Sequence, residues 1–185
     1  MASEHTVSLL EAVRRGNAEA FGTIFDLYHV RIYAYLRSLV RDAALAEDLT
    51  QDTFLKAYKA ILRADLPEDF NAWLYAIATN TALSALRRRR LVSWLPINNN
   101  READAKSPVA DPESVAGDRD AVRRAIDRLP KADAACLLLR FAQGLDYAEL
   151  ADVLGTSVPA AKMRLSRARA AFREAYLALG REVDT

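Results

Sequence analysis

The feature that most constrains this chain is the length of its stretches without a helix-breaking residue. Neither glycine nor proline occurs from 23 to 66, from 68 to 95 or from 160 to 179. Together these two residues account for 12 of 185 positions, roughly half of their usual share. Both residues mark turns and loops, which a chain of short strands needs more often than a chain of long helices. The sequence therefore predicts an all-α fold.

Apolar residues recur at helical spacing in two blocks. The first block begins with a short helix that ends at Gly16. Asn17 is placed to cap a long helix, Asp42 restarts the chain into a third helix that runs to about Arg63, and Pro67 precedes a fourth helix over 70–90. These helices predict one bundle over residues 1–90. The buried stripe expected on the fourth helix comprises Phe70, Trp73, Leu74, Ile77 and Thr81.

The composition changes after this bundle. Residues 91–118 contain three prolines, a run of three asparagines and little periodicity, which is typical of a linker. Helices then resume, with Val122, Ile126 and Leu129 expected to line the first and a second over 132–142. The prediction is two small helical domains, 1–90 and 119–185, joined by a flexible linker over 91–118.

The sharpest feature of the second block is a pair of helices around a tight turn. A capped short helix over 146–154 is followed by Gly155, Thr156 and Ser157, and then by a helix to about Leu179. This is the outline of a helix-turn-helix, whose second helix enters the DNA major groove. From 157 to 181 there are six basic residues against one acidic residue, in a chain of net charge +1. The pattern predicts a phosphate-binding surface; the alternative is a solvated arginine-rich helix.

A second basic cluster closes the fourth helix. Four arginines at a helix end also stabilise the helix dipole, so that alternative stays open. A face of amide, hydroxyl and guanidinium groups suits single-stranded or melted nucleic acid. We expect this face to lie opposite the Trp73/Ile77 stripe, with Trp73 and Tyr75 near its start. Its members are Asn80, Ser84, Arg87 and Arg88, at i, i+4, i+7 and i+8.

The third helix carries an acidic stripe that contains one apolar side chain. Its members, at i, i+3, i+4 and i+7, are Asp48, Gln51, Asp52 and Leu55. A solvated acidic face would not need the leucine. The stripe therefore favours a protein partner with a basic surface over that alternative.

Several classes of protein are disfavoured by composition. A net charge of +1 excludes a uniformly basic polycation, and one cysteine with two histidines leaves few ligands for a metal. There is no Gly-rich phosphate loop or nucleophile elbow, and the Asp48–Asp52 pair has no histidine nearby, so an enzyme is not expected. No cofactor is expected either. Without a signal peptide or a long apolar run, we expect a soluble, cytoplasmic protein.

Three stretches, in order, resemble a known family. Residues 46–58, AEDLTQDTFLKAY, resemble the polymerase-binding helix of the bacterial sigma-70 family, in its small extracytoplasmic-function (group 4) members. Residues 70–80 followed by 87–90 are similar to the helix of that family that melts and reads the −10 element. Residues 129–130 and 144–151 resemble its region 4 scaffold, and residues 162–169 resemble its −35 recognition helix.

The resemblance implies an alternative RNA polymerase sigma factor that directs core polymerase to specific promoters and helps to melt the −10 element. The implied partners are the β′ clamp helices and β flap of the polymerase, promoter DNA, and an anti-sigma factor. The other interpretation is a sigma mimic that sequesters an anti-sigma factor without binding DNA. A mimic would not need the arginines that this chain keeps.

The resemblance also implies roles for individual residues. The acidic stripe would dock on the clamp helices. A flipped −10 base would lie in the loop of Arg63, Asp65, Glu68 and Asp69, and melted DNA would contact Asn80, Ser84, Arg87 and Arg88. The −35 element would be read by Lys162, Met163, Ser166 and Arg167, with Arg164 and Arg169 on the backbone. Ala160 and Met163 depart from the family's usual small polar residues, so they alter the expected −35 sequence.

Overall fold

The computed structural model describes residues 4–63, 66–92 and 115–183. Within these ranges the regular structure is helical throughout and includes no strand. The all-α prediction is thereby confirmed. The helices are α1 Glu4–Arg14, α2 Ala18–Val40, α3 Ala43–Ile61, α4 Phe70–Val92, α5 Val115–Asp127, α6 Lys131–Leu137, a π-helical turn Leu138–Ala142, α7 Tyr147–Leu154 and α8 Val158–Val183. None of the described helices combines the length and apolarity needed to cross a membrane.

Side-chain caps begin the two long helices of the first half. The Asn17 side chain accepts a hydrogen bond from the Ala20 N–H at 3.2 Å, and Asp42 Oδ1 accepts one from the Leu45 N–H at 2.9 Å. Each bond satisfies an amide of the first turn that has no partner within the helix. The cap at Asn17 and the start of a helix at Asp42 are where the sequence predicts them.

The core of the first half lies where α2, α3 and α4 meet. The fully buried side chains include Ile32, Leu36, Phe70 and Leu74. The buried Tyr35 hydroxyl is hydrogen-bonded to the Thr79 hydroxyl at 2.8 Å. Removal from water disfavours the charged phenolate, so burial raises the pKa of Tyr35 far above its ordinary value.

The second half is built around α8, against which α5, α6 and α7 pack. Residues 134–139 are all buried. The chain then widens into the π-helical turn, where the Gln143 N–H donates to the Leu138 carbonyl across five residues at 3.0 Å. This turn leaves Phe141 63% exposed. A helix is predicted here from the sequence, but its π-helical end is not.

The two halves are packed against each other. Helix α7 lies on α4, and the π-helical turn lies on α2. The Tyr75 hydroxyl donates to Gln143 Oε1 at 2.5 Å, and Arg41 Nε lies 3.3 Å from Asp127 Oδ2. Buried apolar residues of both halves form one continuous core.

One cysteine lies close to this contact. Cys136 is on α6, which touches both α2 and α4, and it has no exposed surface. It is near enough to Tyr35 for the two groups to interact electrostatically. Burial raises the pKa of the Cys136 thiol to about 11, so the thiol is protonated and unreactive at neutral pH.

The ends of the predicted linker are helical. Helix α4 extends to Val92, and α5 begins at Val115, whereas residues 93–114 lie outside the described ranges. The division into domains at 90 and 119 stays a prediction. Val122, expected in the core, is instead 39% exposed. It lines a cavity of about 340 Å³ between α2 and α5, together with Ser38 and Arg41.

Candidate protein and nucleic-acid interfaces

The acidic stripe of α3 lies on the surface. Asp48, Gln51 and Asp52 are exposed, and Leu55 is 51% exposed. The opposite side of the helix is buried, and there the Thr53 hydroxyl donates to the Leu49 carbonyl at 2.6 Å. The predicted face is therefore accessible, with its leucine in water.

A groove of about 410 Å³ runs between α3 and α4. It brings Asn80 and Ser84 together with Trp73 and Ile77. The expectation that the polar face lies opposite the Trp73/Ile77 stripe is therefore wrong. Asn80 follows Trp73 by seven residues, which is close to two full turns, so the two side chains share one face. The groove also includes Lys56 of α3, which no sequence pattern marks as part of the −10 face.

Tyr75 does not belong to this surface. Its side chain is 1% exposed and packs edge-to-face on Tyr35, with ring centroids 5.4 Å apart. The expectation that it lies at the start of the nucleic-acid face is wrong because residue 75 points away from residue 80 on a helix. Burial raises the pKa of Tyr75, and the positive charge of Arg31 offsets part of this rise. Trp73 is half-buried and borders the groove.

The arginine cluster divides between two tasks. Arg87 and Arg88 are exposed, and Arg87 Nη2 donates to Ser84 Oγ at 3.3 Å, which continues the polar face. Arg89 Nη1 instead donates to Asp42 Oδ2 at 3.0 Å. The Leu45 N–H and the Arg89 guanidinium hold the pKa of Asp42 below its usual range. One of the four arginines thus helps to anchor α4 to the start of α3.

The loop before α4 presents its predicted residues unequally. Arg63 and Glu68 are exposed. Asp69 Oδ1 accepts a hydrogen bond from the Ala72 N–H at 2.9 Å, so its carboxylate caps α4. Asp65 lies outside the described residues.

The helix-turn-helix is well formed. The Asp146 carboxylate accepts from the N–H groups of Ala148 at 2.7 Å and Glu149 at 2.9 Å, while Glu149 Oε2 accepts from the Asp146 N–H. This reciprocal capping box starts α7. Gly155 ends it with a φ of 60°, in the left-handed region that glycine adopts without strain.

The exposed side of α8 carries most of the predicted readers. Lys162, Ser166, Arg167 and Arg169 are exposed, and Met163 is 63% exposed. The buried side packs on the rest of the second half through Ala161, Leu165 and Ala168.

Two basic groups on this side already have partners. Arg164 is half-buried, with Nε 3.3 Å from Asp133 Oδ1 of α6. The Lys162 ammonium lies 5.1 Å from the centre of the Tyr147 ring, a cation–π distance. In the described ranges no group of three or more His, Cys, Asp or Glu side chains is arranged to hold a metal ion.

Comparison with known families assigns both halves. The family "Sigma-70 region 2" matches residues 24–92, and "Sigma-70, region 4" matches residues 119–172. The first match spans α3, α4 and their groove. The second spans the helix-turn-helix and most of the exposed basic side of α8.

Individual relatives agree with this assignment. The chain is 36% identical to the ECF RNA polymerase sigma factor BldN of Streptomyces coelicolor, over 90% of this chain and 64% of that protein. It is 31% identical to the RNA polymerase sigma-H factor of Pseudomonas aeruginosa, over 98% of this chain and 99% of that protein. It thus spans about two thirds of the first relative and nearly all of the second.

Solved structures share the fold. The structure of CnrH in complex with the cytosolic domain of CnrY has a TM-score of 0.71 at 25% identity, over 95% of this chain and 99% of that one. The sigma factor RpoE in complex with the anti-sigma factor NepR from Bartonella quintana has a TM-score of 0.64 at 26% identity, over 85% and 97%. The chain therefore belongs to the sigma-70 family of RNA polymerase sigma factors, in its extracytoplasmic-function group.

Proposed function

We propose that this chain is an alternative sigma factor that directs core RNA polymerase to specific promoters and helps to melt their −10 element. The observation that carries the proposal is the separation of three chemically different surfaces on one region 2–region 4 chain. An acidic stripe, a groove with a polar rim and a basic recognition helix are all accessible, and each suits a different target.

The acidic stripe of α3 serves as the polymerase-binding face. Asp48, Gln51, Asp52 and Leu55 dock on the clamp helices of the β′ subunit. The carboxylates select a basic surface, and Leu55, which is 51% exposed, gains from being removed from water. The β flap is the second contact of the core enzyme, on the side of region 4.

The groove and the end of α4 serve the melted −10 element. Asn80 and Ser84 contact the non-template strand, Arg87 and Arg88 bind its phosphates, and the loop of Arg63, Asp65, Glu68 and Asp69 holds a flipped base. Extrusion of a base costs a few kcal/mol of unstacking, which contacts in the protein must offset. The Asp69 cap supports this role because it fixes the direction in which the loop joins α4.

Helix α8 serves the −35 element in its duplex form. Lys162, Met163, Ser166 and Arg167 reach base edges in the major groove, and Arg164 and Arg169 hold the backbone. Phosphate contacts set the position of the helix and base contacts set its specificity. The ion pair of Arg164 with Asp133 orients that guanidinium from the side of α6.

Transcription with purified core polymerase tests the proposal. Sequencing transcript starts after overexpression identifies a promoter, and the chain is then added to core enzyme with that promoter as template. Transcription from the mapped start is expected. The affinity of the holoenzyme for the promoter is expected to fall as the salt concentration rises. If core polymerase initiates at none of the mapped promoters, the chain is instead a mimic that binds an anti-sigma factor without DNA.

An anti-sigma factor is also expected among its partners. The RpoE relative from Bartonella quintana was solved with the anti-sigma factor NepR. Co-purification of the tagged chain from its native cells, followed by mass spectrometry, tests for such a protein. Its addition is expected to abolish transcription in the assay above.

A further inference from the structure

The groove between α3 and α4 contains a charge that the assigned −10 residues do not include. Among the residues that line it, Lys56 is the one that carries a charge. Arg87 and Arg88 lie farther along α4, beyond Ser84, by about 5 Å of helix rise. The basic groups assigned to the strand are therefore at one end of the groove, and Lys56 is in it.

The ammonium of Lys56 is held in place while most of its donors stay available. Its Nζ donates to Thr81 Oγ1 at 2.9 Å, and the Thr81 side chain is buried at 4% exposure. Because an ammonium has three N–H donors, two remain for another acceptor. No carboxylate pairs with Lys56 in the part of the chain that the structure describes.

A strand in this groove needs such a group. Single-stranded DNA carries one phosphate per nucleotide, and Trp73 and Ile77 make part of the groove apolar. A phosphate beside apolar side chains loses part of its hydration. This loss costs free energy unless a nearby cation replaces the lost interactions. The Thr81 bond orders the lysine before DNA arrives, which lowers the entropy that binding must offset.

We propose that Lys56, held by Thr81, binds a backbone phosphate of the melted −10 non-template strand as it crosses Asn80 and Ser84. This inference rests on the proposed function of the groove. It gives α3 two tasks, because the acidic stripe binds the polymerase and the neighbouring side of the helix, which carries Lys56, binds DNA.

Binding of holoenzyme to forked DNA tests the inference. The probe is a mapped promoter whose −10 non-template strand is single-stranded, titrated with preassembled holoenzyme at several salt concentrations. Lys56→Ala is expected to weaken binding roughly five- to tenfold and to lower the salt slope by about 0.7, the value for one phosphate of a single strand. Lys56→Arg is expected to restore most of the affinity.

Two control variants separate charge from packing. Arg15→Ala removes one positive charge from an exposed site just after α1, outside the groove and away from the acidic stripe, and is expected to change binding less than twofold. Thr81→Val removes the acceptor and keeps the cation, and it is expected to keep most of the affinity. If Thr81→Val loses as much as Lys56→Ala, the lysine acts only by joining two helices and the proposal is wrong.

A scan of the DNA backbone locates the contact. Each −10 non-template phosphate is replaced in turn by an uncharged methylphosphonate. At one position the substitution is expected to weaken wild-type holoenzyme and to have no further effect on Lys56→Ala. Additive effects at every position would overturn the assignment. Wild-type holoenzyme that fails to bind the fork at all would overturn the proposed function itself, and with it this inference.

Discussion

At the scale of single residues, the three surfaces depend on side chains whose surroundings differ sharply. Asp52 stands in water on α3, whereas Asp69, also acidic and also assigned to a binding surface, is engaged in a helix cap. Arg167 is exposed, whereas Arg164, three positions earlier, is paired with Asp133. Substitution of the exposed residues should therefore change binding, while substitution of the engaged ones should also change stability.

Reversal of charge at Asp52 tests the polymerase face. Asp52→Arg is expected to weaken core-polymerase binding at least tenfold, because a like charge opposes a basic surface. Binding of region 4 to a −35 duplex should not change. Affinity titration against labelled core enzyme measures the first effect, and Asp26→Arg, an exposed acid on α2, is the control. Equal loss of both activities would indicate misfolding and contradict the assignment.

Truncation of Arg167 tests the recognition helix. Arg167→Ala is expected to cost about 1–3 kcal/mol of −35 binding if the guanidinium makes a bidentate base contact. The loss should depend on one base pair of the −35 element, as gel-shift competition with substituted duplexes would show. Arg173→Ala, exposed on the same helix, should weaken all duplexes alike or none. An unchanged −35 footprint would remove Arg167 from the set of readers.

At the scale of elements, helix ends and side-chain partners define the interfaces. Asp42 illustrates this because it begins α3 through the Leu45 N–H and also binds Arg89 at the end of α4. It thus connects the helix that carries the proposed polymerase face to the helix that carries the proposed −10 face. Because the pKa of its carboxyl is lowered, the stability that this connection contributes depends on pH.

The pH dependence of stability is expected to reveal the Asp42 contact. A carboxyl whose folded pKa is lowered contributes stability above its unfolded pKa and loses it as pH falls toward the folded value. The stability difference between wild type and Asp42→Asn should therefore be constant above about pH 5 and shrink below it. Asparagine can still cap the helix, so the difference in stability between the two proteins comes from the charge of the Asp42 carboxylate. Urea unfolding at a series of pH values measures it; a difference independent of pH down to 2 would contradict the assignment.

The elements also show what sequence periodicity can predict. Asn17 and Asp146 are identifiable as caps because capping depends on residues within one turn, and both caps are confirmed. The relation of the polar side of α4 to Trp73 is also a local property, because seven residues make nearly two full turns; the expectation that the two lie on opposite faces misapplies this spacing. Lys56 was missed because the groove joins two helices, and no local pattern on α3 reveals what faces it from α4.

Other features needed the tertiary structure as well. The pairing of Arg164 with Asp133 spans 31 positions, and the π-helical turn inserts a residue that apolar spacing does not mark. The all-α class and the accessible acidic stripe were predictable, because breaker content and helical spacing are local properties. The assignment of individual residues to DNA and polymerase stays a prediction.

At the scale of the whole molecule, the packing of the two halves conflicts with simultaneous promoter contacts. Elements about 25 base pairs apart are separated by about 85 Å along B-DNA. A compact chain of 185 residues has a radius of gyration of about 16 Å. In the packed arrangement the chain can reach one element or the other, so the Tyr75–Gln143 and Arg41–Asp127 contacts must separate before it reaches both.

Separation of the halves can be measured with two fluorophores. Ala44 on α3 and Ala170 on α8 are exposed, so Ala44→Cys and Ala170→Cys accept labels. Energy transfer is expected to be high in the free chain and to fall when core polymerase and promoter are added. Asp127→Ala and Gln143→Ala should lower transfer in the free chain. Transfer that stays high in a transcribing complex would contradict the opening.

The position of Cys136 makes the unlabelled chain its own reporter. The thiol has no exposed surface and lies on a helix that touches both α2 and α4. Alkylating reagents are therefore expected to reach it only while the two halves are transiently separated. The alkylation rate therefore measures how often the two halves separate. An inhibitor that holds the two halves together should lower the alkylation rate of Cys136, and one that holds them apart should raise it. The same measurement therefore distinguishes the two modes of inhibition.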